Sequence, residues 1–274
     1  MSFITQVMLP RTLTSSSFKA VSRISRLSFT IAPIAPFSTM SDITLYTWPT
    51  PNGIKASIAL EELGLPYKAE GIDISTNVQK EDWFLKINPN GRIPALLDGS
   101  QRVFESGAIL IYLADKYDTD RKISYAPGSP EHIEQLSWLM FQMGGLGPMQ
   151  GQANHFRLFA GVRSDYGIKR YIDETKRLYS VLESRLKESP YLAGSKYTIA
   201  DIANYSWVRS APGALEIDLS EFPALKKWTD EIGKRPAVQK GADVPSTGRT
   251  EEQWNEFFRN ARARIDGMTS SDKH

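Results

Sequence analysis

The 274-residue chain contains no cysteine. That excludes disulfides, thiolate metal sites and a cysteine nucleophile of its own, so any thiol chemistry has to come from a bound thiol. Histidine is scarce: only His132, His155 and His274 are present, too few for a histidine-rich centre, and no metal is expected. No hydrophobic run is long enough to span a bilayer as a helix, so no membrane partner is expected. The 33 basic and 31 acidic residues leave a net charge of +2, which gives no whole-protein field for a polyanion such as a nucleic acid. Acidic residues are missing from the first 41 positions, the first being Asp42. In that segment Lys19, Arg23 and Arg26 share one helical face, with Phe18, Val21, Ile24 and Leu27 on the others. An acid-free, Ser- and Arg-containing amphipathic stretch is the composition of a mitochondrial transit peptide, so residues 1–40 are expected to direct import. The alternative is a disordered leader, bypassed by starting at Met40, and a cytoplasmic protein.

What is there begins at Asp42. Residues 43–47 alternate like a strand, and Thr50-Pro51-Asn52-Gly53 leads into an apolar helix closed by Gly64. A second strand is expected over 67–74 and a short helix over 81–87. Two strands flank the Asp98-Gly99 turn, and a helix follows to 117. The order β-α-β-α-β-β-α predicts an α/β thioredoxin-like domain over 42–118. A linker covers 119–130, and from 131 to 240 the apolar period becomes helical, predicting an all-α domain. Ile133, Leu136, Leu139/Met140 and Met143 form one stripe, and Ile168, Ile172, Thr175, Tyr179, Leu182 and Leu186 another. The Gly-rich run 144–151 lacks the Lys-Ser/Thr ending of a phosphate loop and reads as a close-packing bend between helices. Thr198 and Asp201 form a capping box, for which Asp201→Ala is expected to cost about 0.5–2 kcal/mol. A helix is expected over 225–235. The extension 241–274 carries a helical stripe from Trp254 to Ile265, read as a docking face, and a disordered end from 269.

Three places carry possible chemistry. At the start of the first helix, Asn52 and Thr50 can each donate a hydrogen bond to a thiolate beside the helix dipole; Asn52 can equally serve as a plain helix cap. Pro94 cannot donate a backbone hydrogen bond, which puts the residue before it at a bend or sheet edge. Ser106, as an N-cap after Glu105, opens a helix whose unsatisfied N–H groups make a seat for a carboxylate.

Thr50-Pro51-Asn52-Gly53, Asn88-Pro-Asn-Gly-Arg-Ile-Pro-Ala-Leu, Phe104-Glu-Ser-Gly-Ala-Ile-Leu, Trp138–Gln152 and Tyr197–Ala203 together resemble the glutathione transferases. The likeness is to the Nu-class bacterial enzymes and the fungal group that includes the yeast nitrogen-regulator prion protein, and it spans roughly residues 42–240. It implies a thioredoxin-like domain followed by a helical one, a homodimer, and glutathione as co-substrate. By the same resemblance Asn52 activates the glutathione thiol with help from Thr50, and Ile93 before a cis Pro94 holds the cysteinyl backbone. Glu105 and Ser106 hold the γ-glutamyl end, Gln79 and Arg92 contact the glycyl end and backbone, and Arg170 reaches the site from the neighbouring subunit. The implied activity is reduction of a disulfide or hydroperoxide. Conjugation of small electrophiles in detoxification, or a non-catalytic glutathione-binding regulator, are the alternatives.

Overall fold

The structure is a computed structural model that describes residues 42–272. The import reading of residues 1–40 lies outside the described residues. The first third of the described chain is a four-stranded sheet with helices. Strand β1 (Ile43–Thr47) pairs parallel with β2 (Lys68–Gly71) and antiparallel with β3 (Ala95–Asp98), which in turn pairs antiparallel with β4 (Gln101–Phe104). The order β2-β1-β3-β4 places β1 and β3 centrally. Leu45 and Leu96 face each other and are fully buried, as alternation in a strand with one covered face requires. Helices α1 (Gly53–Leu63) and α3 (Ser106–Tyr117) supply that cover through Ile54, Ile58, Leu60, Ile109, Leu110 and Leu113. A separate small cluster of Ile72, Phe84 and Ala95 carries the short α2 (Asp82–Leu85), with Tyr46 half-buried against Trp83 and Phe84.

The expected linker is tied down. The buried carboxylate of Asp118 accepts from Lys122 N, Ile123 N and Ser124 Oγ at 2.6, 3.0 and 2.6 Å. Ile123 reaches the core, and its carbonyl accepts from Ile199 N.

The helical part differs from expectation at the Gly-rich run. Helix α4 (Pro130–Phe141), a π-helical segment (Gln142–Leu146), α5 (Gly147–Asn154) and a second π-helical segment (His155–Phe159) follow one another without interruption, so the run is not a break between helices. The wider π turn absorbs Pro148 at the second position of α5 without ending the helix. Close packing is nevertheless why glycine is there. A Cβ on Gly147 would lie 2.5 Å from Gln142 Nε2 and 3.5 Å from Trp207 Cε2. On α4 Gln135 and Leu139 are buried, as is Gln142 just beyond it, while Ile133 and Met140, expected inside, are 55% and 50% exposed.

Helix α6 (Asp165–Glu188) buries Thr175, Leu178, Tyr179 and Leu182, and α7 (Ile199–Val208) is buried along its whole length. The α7 capping box is present as expected. Beyond the short α8 (Ala211–Leu215), α9 (Pro223–Gly233) turns at Pro236 into α10 (Pro236–Ala242), an element missing from the sequence reading. Helix α10 packs on α1, where Ser57 Oγ donates to Gly241 O at 2.6 Å. Helix α11 (Glu251–Asp266) docks through Ile265 and Arg262, the latter donating to Gly213 O, while its aromatic first half is only half covered and Phe257 is exposed. Within the end expected to be disordered from 269, the described residues are held: Ser271 N donates to Arg163 O, and Asp272 accepts from Tyr166 N, while 273–274 lie outside the described residues.

Candidate active site

Sheet register brings the predicted residues together. Because Tyr46 pairs with Ala95 and Ala95 with Phe104, the end of β1, the start of β3 and the end of β4 share one edge. The segments leaving that edge are the turn Trp48–Asn52, the bond Ile93–Pro94 and the corner Glu105–Ser106. The Ile93–Pro94 peptide is cis.

The turn before α1 is shaped by Gly53, since a Cβ there would sit 2.0 Å from the Trp48 carbonyl oxygen. Thr50 Oγ1 accepts from Gly53 N at 3.1 Å and so caps the helix, which leaves the hydroxyl proton to donate outward. Asn52 stands at the N-cap position but makes no cap bond with its side chain. Instead Asn52 Oδ1 accepts from Trp207 Nε1 at 3.0 Å. The acceptor end of the amide is thereby occupied and Nδ2 is left as donor. Trp207 is itself held: Gln150 Nε2 donates to its carbonyl at 2.8 Å, and Tyr179 Oη donates to Gln150 Oε1 at 2.9 Å. A buried chain of polar groups in the helical part thus orients the amide of Asn52.

The turn carrying Arg92 is pinned by Asn88, 1% exposed, whose Nδ2 donates to Arg92 O at 2.6 Å and whose Oδ1 accepts from Asn90 N. The Arg92 guanidinium is exposed. Gln79 lies beneath this turn, with Nε2 donating to Ile74 O and Oε1 buried without a hydrogen-bond partner among the described residues. Asn90 Nδ2 reaches Glu105 Oε1 at 3.4 Å, which links the two corners.

Ser106 is not the N-cap. Glu105 occupies that position with φ 69° and ψ 120°, and Ser106 is the first helical residue. The serine hydroxyl does not fold back onto the helix because it accepts from Lys55 Nζ at 3.1 Å. A non-glycine residue at such angles costs about 1–3 kcal/mol and persists where its surroundings over-determine it, as in ligand clamps.

Lys55 is the group that sequence reasoning missed. Fully buried on α1, it donates to Ser106 Oγ and to Gln142 Oε1 at 2.5 Å, and touches Met143 Sδ at 3.6 Å. Burial lowers its pKa from 10.5 to about 7, against the opposing pull of Glu105. Its signal was a lysine between Ile54 and Ala56 in an otherwise apolar helix. Trp207 had no such signal, because its partner is 155 residues away.

Arg170 stands apart from these residues. It is exposed on α6, its guanidinium 5.9 Å from the Tyr171 ring, and borders a groove with Met149, Tyr166 and Arg177 that none of the residues above lines.

The chain matches the family models for the glutathione S-transferase N-terminal domain over residues 41–115 and C-terminal domain over 168–236. It is 46% identical over 203 residues to the Escherichia coli disulfide-bond oxidoreductase YfcG, covering 72% of this chain and 92% of that protein. Among solved structures it is similar to a glutathione transferase homolog from Lodderomyces elongisporus with two glutathione molecules per subunit. The TM-score is 0.73 at 48% identity, covering 75% of this chain and 100% of that one. It is also similar to the glutathione transferase URE2P6 from Phanerochaete chrysosporium in complex with oxidized glutathione. There the TM-score is 0.71 at 42% identity, covering 74% and 96%.

Proposed function

The chain belongs to the glutathione transferase family, and from that premise we propose that it is a glutathione-dependent disulfide reductase working through a thiolate held at Asn52. The observation that carries the reading is the Trp207 Nε1–Asn52 Oδ1 bond, which occupies the amide oxygen and leaves Nδ2 as the donor for a bound thiol. A thiol bound there meets the Asn52 N–H, the Thr50 hydroxyl and the N-terminus of α1, each favouring the ionised sulfur. The ordinary thiol pKa is about 8.5, so modest stabilisation raises the thiolate fraction at neutral pH.

The thiolate attacks one sulfur of a disulfide substrate. A new S–S bond forms as the old one breaks, and the departing thiolate takes a proton from water. A second glutathione thiolate then attacks the glutathione sulfur of the mixed disulfide and releases the second thiol. Two glutathione molecules are oxidised to one glutathione disulfide, and one substrate disulfide is reduced to two thiols. The absence of any protein cysteine supports this two-glutathione route, because the chain has no thiol to resolve the intermediate. Gln79, Arg92, the Ile93 backbone, Glu105 and Ser106 bind the tripeptide in this reading. Structures of relatives that hold two glutathione molecules, or oxidized glutathione, support it.

The test is turnover of 2-hydroxyethyl disulfide with glutathione, wild type against Asn52→Ala. One lost hydrogen bond to a charged group is worth about 1.5–3 kcal/mol, so a fall of roughly 10- to 100-fold is expected. Equal turnover in both proteins would refute the role of Asn52. Glutathione binding without disulfide turnover would move the reading to conjugation or to a regulator.

We extend the proposal to a homodimer, supported by the exposed apolar pair Ile133 and Met140, about two turns apart on one face of α4, and by the exposed Arg170. Sedimentation equilibrium returning the monomer mass would refute it. Mitochondrial import by residues 1–40 is the reading of location, and a diffuse cytosolic signal from that segment fused to a fluorescent protein would overturn it.

A further inference from the structure

A lysine with no exposed surface is expensive, since desolvation penalises the ammonium. Lys55 has 0% exposure and is not neutralised by a salt bridge among the described residues. Its neighbours are Ser106 Oγ, Gln142 Oε1 and Met143 Sδ, three acceptors for the three donors of an ammonium. None of the three titrates in the accessible range. The charged group acting on it is Glu105, at the same corner. The rest of the local architecture serves this contact. Gly107 allows Met143 to approach, because a Cβ there would lie 2.9 Å from Met143 Cγ. Ser106 is turned so that its oxygen accepts from Lys55, and its proton is spent only on the weak sulfur acceptor Met143 Sδ at 3.6 Å. That proton is free to turn toward a better acceptor arriving at the N-terminus of α3.

We propose that Lys55 is a buried counter-cation for the α-carboxylate of the γ-glutamyl end of glutathione, acting through Ser106 as a positioning residue. The proposal rests on the placement of glutathione at the Asn52 site. When the carboxylate arrives at the first turn of α3, Ser106 donates to it. Lys55, donating to the same serine oxygen, polarises that O–H and places a positive charge one hydrogen bond behind the anion. The pairing works in both directions: a carboxylate brought close favours the ammonium, and the ammonium favours the carboxylate. In the free protein, burial has brought the lysine to about 7, so a sizeable fraction is unprotonated at neutral pH. Binding therefore draws one proton from solvent onto Nζ in that fraction. Linkage makes glutathione affinity fall as pH rises above 7.

The test is isothermal titration calorimetry of S-methylglutathione, whose sulfur carries no proton, so that the thiol does not confound the profile. With the wild-type protein, affinity should fall about tenfold between about pH 6.5 and 8. Proton uptake, read from the dependence of the heat on buffer ionisation enthalpy, should rise toward one per site over the same range. Lys55→Met should bind at least about tenfold more weakly at the lower pH and show neither the slope nor the uptake. If that variant does not fold, the wild-type slope and uptake alone decide. Binding that depends on Glu105, shown by its loss in Glu105→Ala, yet is flat in pH with no proton uptake overturns the role of Lys55. Binding indifferent to Glu105→Ala overturns the glutathione placement itself.

Discussion

Asp201 illustrates how a local motif acquires a larger energy from its tertiary setting. The capping box alone implies a loss of about 0.5–2 kcal/mol on Asp201→Ala. In the structure the carboxylate is 0% exposed and accepts four bonds. Oδ2 accepts from Thr198 N at 2.9 Å and Thr198 Oγ1 at 3.1 Å, and Oδ1 from Leu192 N and Trp228 Nε1, both at 3.0 Å. The threonine hydroxyl can rotate away, but the other three donors are fixed. At about 1–3 kcal/mol for each buried donor left unpaired, offset by release of a buried carboxylate, the expected loss is about 3–5 kcal/mol. At about 2–4 °C per kcal/mol this lowers the melting temperature by roughly 10 °C.

A pH dependence separates this account from a simple cavity. Desolvation outweighs the four bonds and lifts the Asp201 pKa from 3.8 to about 6. A raised acid binds protons more tightly in the folded state than in the unfolded one, so its contribution to stability is full below the unfolded value and is lost as pH rises through about 6. The alanine variant lacks that term. Its deficit should therefore be larger at about pH 5 than at about pH 7.5, by about 1.4 kcal/mol. Urea unfolding of both proteins at the two pH values measures it. A loss below about 1 kcal/mol, or a deficit that shrinks at the lower pH, would refute the reasoning.

Trp207→Phe keeps an aromatic side chain but removes the donor to Asn52 Oδ1, so the amide can flip. It should cost about 0.5–1.5 kcal/mol in kcat/KM for the disulfide, a loss of about twofold to tenfold. It should also be non-additive with Asn52→Ala in a double-mutant cycle, and strict additivity would show that the bond does not orient the amide. Gly53→Ala forces a methyl against the Trp48 carbonyl and must displace the turn bearing Asn52. A shift of that size at a positioned catalytic group is expected to lower turnover about 100-fold, and normal turnover would contradict the geometry. Gln150→Leu removes the support beneath Trp207 and leaves Tyr179 Oη without its acceptor. A stability loss of about 2–4 kcal/mol is expected in chemical unfolding.

Much of this protein was legible in its sequence because the relevant physics is local. Strand alternation in 43–47, the Asp98-Gly99 turn and the proline before β3 depend on near neighbours, and so does the cap at Thr198. They specified the element order and hence the sheet edge where Asn52, Pro94 and Glu105 emerge. The cysteine count alone dictated that any sulfur chemistry uses a bound thiol. What the sequence could not state was which donor or acceptor each side chain would meet across the fold. Asn52 reads equally well as a cap until Trp207, 155 residues later, claims its oxygen. Ser106 reads as an N-cap until Lys55, 51 residues earlier, claims its hydroxyl. The Gly-rich run reads as a close-packing bend between helices, whereas in the fold the helix continues through it as a π turn with Gly147 and Gly151 close against Trp207. Periodicity records which residues avoid water, whereas the pairing of buried polar groups is decided only when distant segments pack together, and here that pairing builds the site.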